Sequence, residues 1–291
     1  MQIQYHRTYE KHGAVAPEEI LDNDIWLDVG NSLRSGVFDH HQPGGQESAF
    51  TALIHYGHFL EKARAYVNTC RSRQEPPEIF LHVHSLPDVD SLAVMYAVEK
   101  MFERNAAGPA DVFRRETLDV LLNYVNQIDN GKQKVLTDLT LYAYLISVAS
   151  GMPDGQEKNE HICREGLHVL ELVEKALDQN PMLDLFHAPI RTYVDTALLA
   201  CYSTAEEKMK QQVIAYQKDK EENNLVFRMV RIFNRQKGQT ELVKVGIWQR
   251  DPSGSNGYIY ARDIDGCMVT VLPARLKEAP QNTGRRRIIF L

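Results

Sequence analysis

The segment Phe38-Asp39-His40-His41-Gln42-Pro43 sets a carboxylate and two imidazoles side by side, directly after an apolar stretch. Buried, such a run needs a partner for every charge and ring nitrogen, and a cation supplies those partners together. The bland alternative is a polar turn. A second grouping, His84-Ser85-Leu86-Pro87-Asp88-Val89-Asp90-Ser91, carries carboxylates four and six residues after a histidine. All three converge on one point if Pro87 stiffens the loop and a helix begins near Ser91. Oxygen donors with imidazoles suit Mn²⁺ or Mg²⁺ better than thiolates would. Against a metal role, Asp90 or Ser91 can simply cap that helix. His82 shares the strand of His84 but not its spacing, and reads as a packed histidine or as support behind a ligand.

Two further carboxylates are ambiguous alone. Asp28, in Leu27-Asp28-Val29-Gly30, is either a turn former or a ligand, and Asp129, before Asn130-Gly131, has the ordinary claim of a helix exit. Asp28 gains weight because acidic strand ends gathered at one sheet edge repel one another unless cations neutralise them.

The elements that must position these groups follow from periodicity. Residues 24–30, 35–39 and 78–84 read as short strands, and residues 47–68, 91–104 and 113–128 as helices. Strand, acidic loop and helix thus alternate, which favours an α/β fold with a mainly parallel sheet and flanking helices, its ligands held beyond the carboxyl ends of the strands. Helices are expected at 139–150, 164–178 and 190–222, then strands at 225–233, 242–248, 258–260 and 268–272. The expected organisation is a metal-binding domain over residues 1–150, a helical connector over 151–222 and a smaller, β-rich C-terminal domain over 223–291. The run Lys218-Asp219-Lys220-Glu221-Glu222 reads as a solvated helix end.

Composition narrows the function. Of 291 residues 43% are hydrophobic and 25% charged, as in ordinary globular proteins. No apolar run reaches the roughly 18 residues that span a bilayer, and the first residues lack a signal-peptide core, so a cytoplasmic protein with no membrane partner is expected. Cys70, Cys163, Cys201 and Cys267 are too scattered for a Cys-x-x-Cys motif and read as reduced fillers. The net charge of −6 disfavours long duplex nucleic acid but not a small anion met by bound metal.

Taken together, His-x-x-Pro-Asp-x-Asp at His84 to Asp90 and Asp39-His40-His41 resemble the DHH phosphoesterase superfamily, which includes exonucleases, nanoRNases, cyclic-di-AMP phosphodiesterases and family II inorganic pyrophosphatases. Its melanocyte-proliferating-gene-type exonucleases are echoed in Leu27-Asp28-Val29-Gly30, Phe38-Asp39-His40-His41-Gln42, Ser48-Ala49-Phe50 through His55-Tyr56-Gly57, and Gln127-Ile128-Asp129-Asn130-Gly131. The similarity covers roughly residues 24–131. It implies two cations, one taking His84, Asp88 and Asp28, the other Asp90, Asp28, His40 and Asp129, with Asp28 as the bridge. It also implies that Asp39 orients His40 or His41, while His41 serves the substrate phosphate as donor or proton carrier.

The motif order departs from the family. There the His-x-x-x-Asp-x-Asp motif comes first, whereas here it follows Asp39-His40-His41, so the resemblance implies a permuted or rewired sheet. The family's C-terminal Gly-Gly-Gly-His loop is missing too. Asn256, in a Gly-rich turn, and Arg285 and Arg286, before the apolar last residues, are weak candidates for substrate contact; a hairpin turn and a solvated basic rim are the competing readings. The expected activity is a two-metal phosphodiesterase or exonuclease acting on short single-stranded oligonucleotides or related nucleotide phosphodiesters. Alternatives are a small-molecule phosphohydrolase for pyrophosphate, a cyclic dinucleotide or a nucleoside bisphosphate, and a non-catalytic nucleotide-binding module. An exposed terminal strand allows a homodimer.

Overall fold

A computed structural model describes residues 2–10, 13–42, 45–130 and 138–211 in full, and from 226 onward the backbone of five strands. Asn256, Arg285, Arg286 and Cys267 lie outside the described residues. The chain forms two compact units, Met1–Asp129 with Val135–Met209, and Asn130–Lys134 with Lys210–Leu291. The stretch expected as a connector therefore contributes, up to Met209, to the first unit.

That unit is α/β. Its strands are β1 (Gln4–Glu10), β2 (Asp24–Leu27), β3 (Leu33–Arg34), β4 (Val37–Phe38) and β5 (Glu78–His84), in the order β1-β5-β2-β4-β3. All neighbours are parallel except β3 with β4, so the sheet is mixed but mostly parallel. In strand β5, Ile79, Leu81 and Val83 are fully buried at every second position, while Phe80 and His82 on the other face are only half-buried. Register then sets the chemistry. Leu27 pairs with both Phe38 and Val83, so the next residues, Asp28, Asp39 and His84, emerge together at one sheet edge. Asp28 follows the middle strand of the three.

The helices are α1 (Ala49–Tyr56), α2 (Glu61–Ser72), α3 (Val89–Glu103), α4 (Arg115–Asp129), α5 (Leu141–Ser147) and α6 (Gln156–Gln179). Helix α3 is apolar almost all round and buried from Val89 to Val98, packing on β2 and β5 with α1, α4 and α6 against it. Each fully buried side chain such as Leu92 or Met95 contributes ~1.5–3 kcal/mol. Close approach of α6 requires Gly166, where a Cβ would meet Leu92 Cδ1 at 2.6 Å. A buried Lys100–Glu174 ion pair, joined by the Tyr96 hydroxyl, ties the same two helices.

Three expectations need correction. Residues 47–68 form two helices interrupted by a tight turn at Gly57–Leu60. Helix α6 begins eight residues before the expected residue 164, and residues 190–200 are not helical throughout but form short turns at Ile190–Thr192 and Thr196–Leu198, helix resuming at 202. Pro189 and the Asp195 carboxylate, which accepts from Ala197 N–H at 3.0 Å, impose those turns.

In the second unit, β6 (Val226–Asn234) and β7 (Gln239–Ile247) form an antiparallel ribbon. Strands β8 (Ile259–Arg262), β9 (Met268–Leu272) and β10 (Arg287–Phe290) form a sheet in the order β10-β9-β8. Among the described residues no helix is long and apolar enough to cross a membrane.

Candidate metal centre

Asp28, the first residue beyond β2, adopts a positive φ of 60°, a conformation short polar residues tolerate best, and donates its N–H to Phe38 O at 2.9 Å. The residue is only 1% exposed. Oδ2 accepts from Ser91 Oγ at 2.8 Å and lies 3.1 Å from His84 Nε2, while Oδ1 lies 3.2 Å from His40 Nε2. That last separation suits charge pairing but lacks the angles of a hydrogen bond, since both atoms are without a hydrogen-bond partner. His40 Nδ1 is equally without one, 3.7 Å from Asp129 Oδ2. A ring 3% exposed with neither nitrogen hydrogen-bonded carries a desolvation cost that a cation would remove.

His84 is oriented for ligation. Its Nδ1 donates to Ser85 O at 2.9 Å, which turns Nε2 toward Asp28 Oδ2 and Ser91 Oγ. Asp88 caps α3 by accepting from Ser91 N–H at 3.0 Å, and the same Oδ1 lies 3.7 Å from His84 Nε2. The cap role weighed for Asp90 or Ser91 thus falls to Asp88. Asp90 instead receives the N–H groups of Ala49 and Phe50, at 2.6 and 3.0 Å, at the start of α1. Asn126 links Thr51 of α1 with α4, whose last residue is Asp129.

Asp39 turns to His41 rather than His40. Its Oδ1 takes His41 Nδ1 at 2.6 Å and its Oδ2 takes Asn31 N–H, also at 2.6 Å. The His41 side chain is 42% exposed and is the outermost of the three imidazoles. His82 stands apart, stacked on Trp26 with ring centroids 4.2 Å apart and 2.8 Å from Thr8 Oγ1. The approach of the chain to His40 depends on Gly45, where a Cβ would sit 2.1 Å from His40 O.

Charge balance is set by crowding. Burial opposes ionisation of Asp28, but the His40 and His84 rings hold its carboxyl well below the usual range. Burial works against protonation of His84, yet Asp28 and Asp88 push its pKa up to about 11. Asp90 is raised by burial and then by the charges of Asp28, Asp129 and Asp88. Asp129 is raised to about 6 by burial, with His40 opposing and Asp88 and Asp28 adding. For His41 the Asp39 bond dominates and raises the pKa. Without cations, the cluster must retain protons to coexist.

Three sets of donor atoms here lie within 4.8 Å of one another and can hold a metal ion: Asp28, His84 and Asp88; His40, Asp90 and Asp129; and Asp28, His40 and His41. Asp28 appears in two of them. Sequence reading missed the supports, namely Ser91, the Ser85 carbonyl, Asn126 and Gly45. Only Ser91, inside the Asp-x-Asp-Ser run, had a visible signal. A fourth set, His161, Glu165 and Cys201, was also unforeseen. There His161 Nδ1 accepts from Arg164 Nη2 at 2.8 Å and Nε2 lies 3.4 Å from Cys201 Sγ.

Comparison of the chain with family models, curated proteins and solved structures gave no match.

Proposed function

We propose that this protein is a divalent-metal-dependent phosphohydrolase that cleaves nucleotide phosphodiesters, short oligonucleotides among them, with water as nucleophile. The observation that carries the reading is His40, buried with both nitrogens lacking hydrogen-bond partners and facing Asp28, Asp90 and Asp129. The donor set of carboxylates and imidazoles, free of thiolate, fits Mn²⁺ or Mg²⁺. His84 and Asp88 would hold one ion, His40, Asp90 and Asp129 a second, and Asp28 both. Such a pair supplies Lewis-acid stabilisation of phosphoryl oxygens and acidified water.

The protein's own groups do the rest. The Ser85 carbonyl keeps the His84 Nε2 lone pair turned inward, and Ser91 steadies Asp28. Asp39 grips His41 through Nδ1, so Nε2 is the nitrogen that can donate to a phosphate oxygen or carry a proton to a leaving group. In this reading the sheet is a DHH-like core with permuted motif order, and the C-terminal strands belong to a β-rich substrate domain. The test is a panel of dinucleotides, longer single strands, cyclic dinucleotides and pyrophosphate with Mn²⁺. Turnover of at least one phosphodiester is expected; inertness toward all, in metal-loaded protein, would reject the reading.

A further inference from the structure

The loop that carries Asp88 also walls a cavity of about 330 Å³, lined by Leu86, Pro87, Asp88, Ile146, Lys158 and Ile162 among others. Asp88 therefore belongs both to a candidate cation set and to this wall. Its neighbour Leu86 is unusual twice over. It holds a positive φ of 59°, a conformation that costs a branched apolar residue about 1 kcal/mol. It is also a large hydrophobic side chain left 42% exposed. What holds it there is Asn159 of α6, only 4% exposed, whose Oδ1 accepts the Leu86 N–H at 2.9 Å. Across the cavity Ile146 of α5 is likewise exposed, at 37%. Backbone strain kept by a buried polar anchor, displaying an apolar side chain beside ligand residues, is the pattern of a substrate contact.

The size and chemistry of the cavity select the occupant. At the small end of the ~300–1,000 Å³ range of ligand pockets, it admits one sugar and ring system but not a chain. Its walls are mainly aliphatic and include no aromatic side chain among the described residues. Its cation, Lys158 Nζ, is 2.8 Å from Asp154 Oδ1. Such walls contact a flat ring by shape and read little of its hydrogen-bonding edge. We propose that this cavity is the subsite for the terminal nucleoside of the substrate, with its phosphate at the Asp28–His40–His84 cluster. Leu86 and Ile146 contact the base, Asn159 is a positioning residue, and discrimination among bases is weak. The inference rests on the phosphohydrolase reading and deepens it.

The test is calorimetric binding of AMP, UMP, ribose 5-phosphate and inorganic phosphate to the Mn²⁺-loaded full-length protein, beside direct measurement of Mn²⁺ uptake. AMP and UMP should each bind on the order of tenfold more tightly than ribose 5-phosphate. Ile146→Trp, on an exposed position, should abolish that advantage without changing Mn²⁺ uptake or phosphate binding. Asn159→Ala should narrow it, again with phosphate binding unchanged. If Mn²⁺ and phosphate bind but the bases confer no advantage, or if Ile146→Trp keeps it, the subsite is refuted while the metal centre stands. Failure of Mn²⁺ uptake in wild-type protein would refute both readings.

Discussion

Metal loading should expel protons, and His84 is the first to lose one. In the metal-free protein His84 Nε2 lies 3.1 Å from Asp28 Oδ2 and holds its proton up to about pH 11. Because Nδ1 donates to the Ser85 carbonyl, that proton occupies the one atom through which His84 can bind a cation. A cation must therefore displace it. One displaced proton makes affinity rise about tenfold per pH unit, or ~1.4 kcal/mol, across the neutral and mildly alkaline range. Asp90, raised by burial and by the charges of Asp28 and Asp129, adds to the slope wherever it is protonated, and Asp129, at about 6, adds to it near that pH. The sign is opposite for the metal-free fold. A histidine raised in the folded state stabilises it fully below the unfolded pKa of about 6.5, and this contribution is lost as pH rises through about 11. Mn²⁺ titrations in buffers of different ionisation enthalpy would count the protons, with His84→Asn as the control that flattens the slope. Pronounced proton uptake, or an affinity unchanged from about pH 6.5 to about pH 9, would refute the assignment of His84 as a ligand.

Gly45→Ala should cut metal affinity while leaving the far-UV circular dichroism intact, because the new Cβ would fall 2.1 Å from His40 O; unchanged affinity would refute the dependence of His40 on that approach. Asp39→Asn should spare metal uptake yet lower turnover by ~10–100-fold, since the group that orients His41 at 2.6 Å is weakened; equal turnover in steady-state assays would count against a role for His41. Lys100→Met should destabilise the first unit by ~3–5 kcal/mol in denaturant titrations, because it strands the Glu174 carboxylate, whose side chain is 10% exposed. The paired change Lys100→Met with Glu174→Leu should recover most of that loss.

The site was legible where strand ends and ligands coincide. Asp28 and Asp39 each follow a strand and His84 ends one, and parallel register brings them to one edge whatever the order of the motifs along the chain. Asp129 was harder, because its distance to His40 depends on the placement of α4, which no local pattern encodes. Strand β1 was not foreseen at all. Gln4, His6, Arg7 and Glu10 make it polar, as a strand at the sheet margin and only half-buried can be. The early start of α6 was hidden in the same way, since Glu157, Lys158 and Glu160 mask a face that includes buried Asn159 and Ile162. Supports such as the Ser85 carbonyl are backbone atoms and leave no trace in residue type.

Asp28 lies in two of the candidate cation sets, so its removal tests the account most directly. Mn²⁺ bound per chain should be measured by equilibrium dialysis for wild-type protein and for Asp28→Ala, alongside phosphodiester turnover. Wild-type protein should bind about two ions, and the variant should lose both ions and nearly all hydrolysis while remaining folded. Metal uptake and turnover in Asp28→Ala equal to those of wild type would contradict a bridged metal centre at this sheet edge.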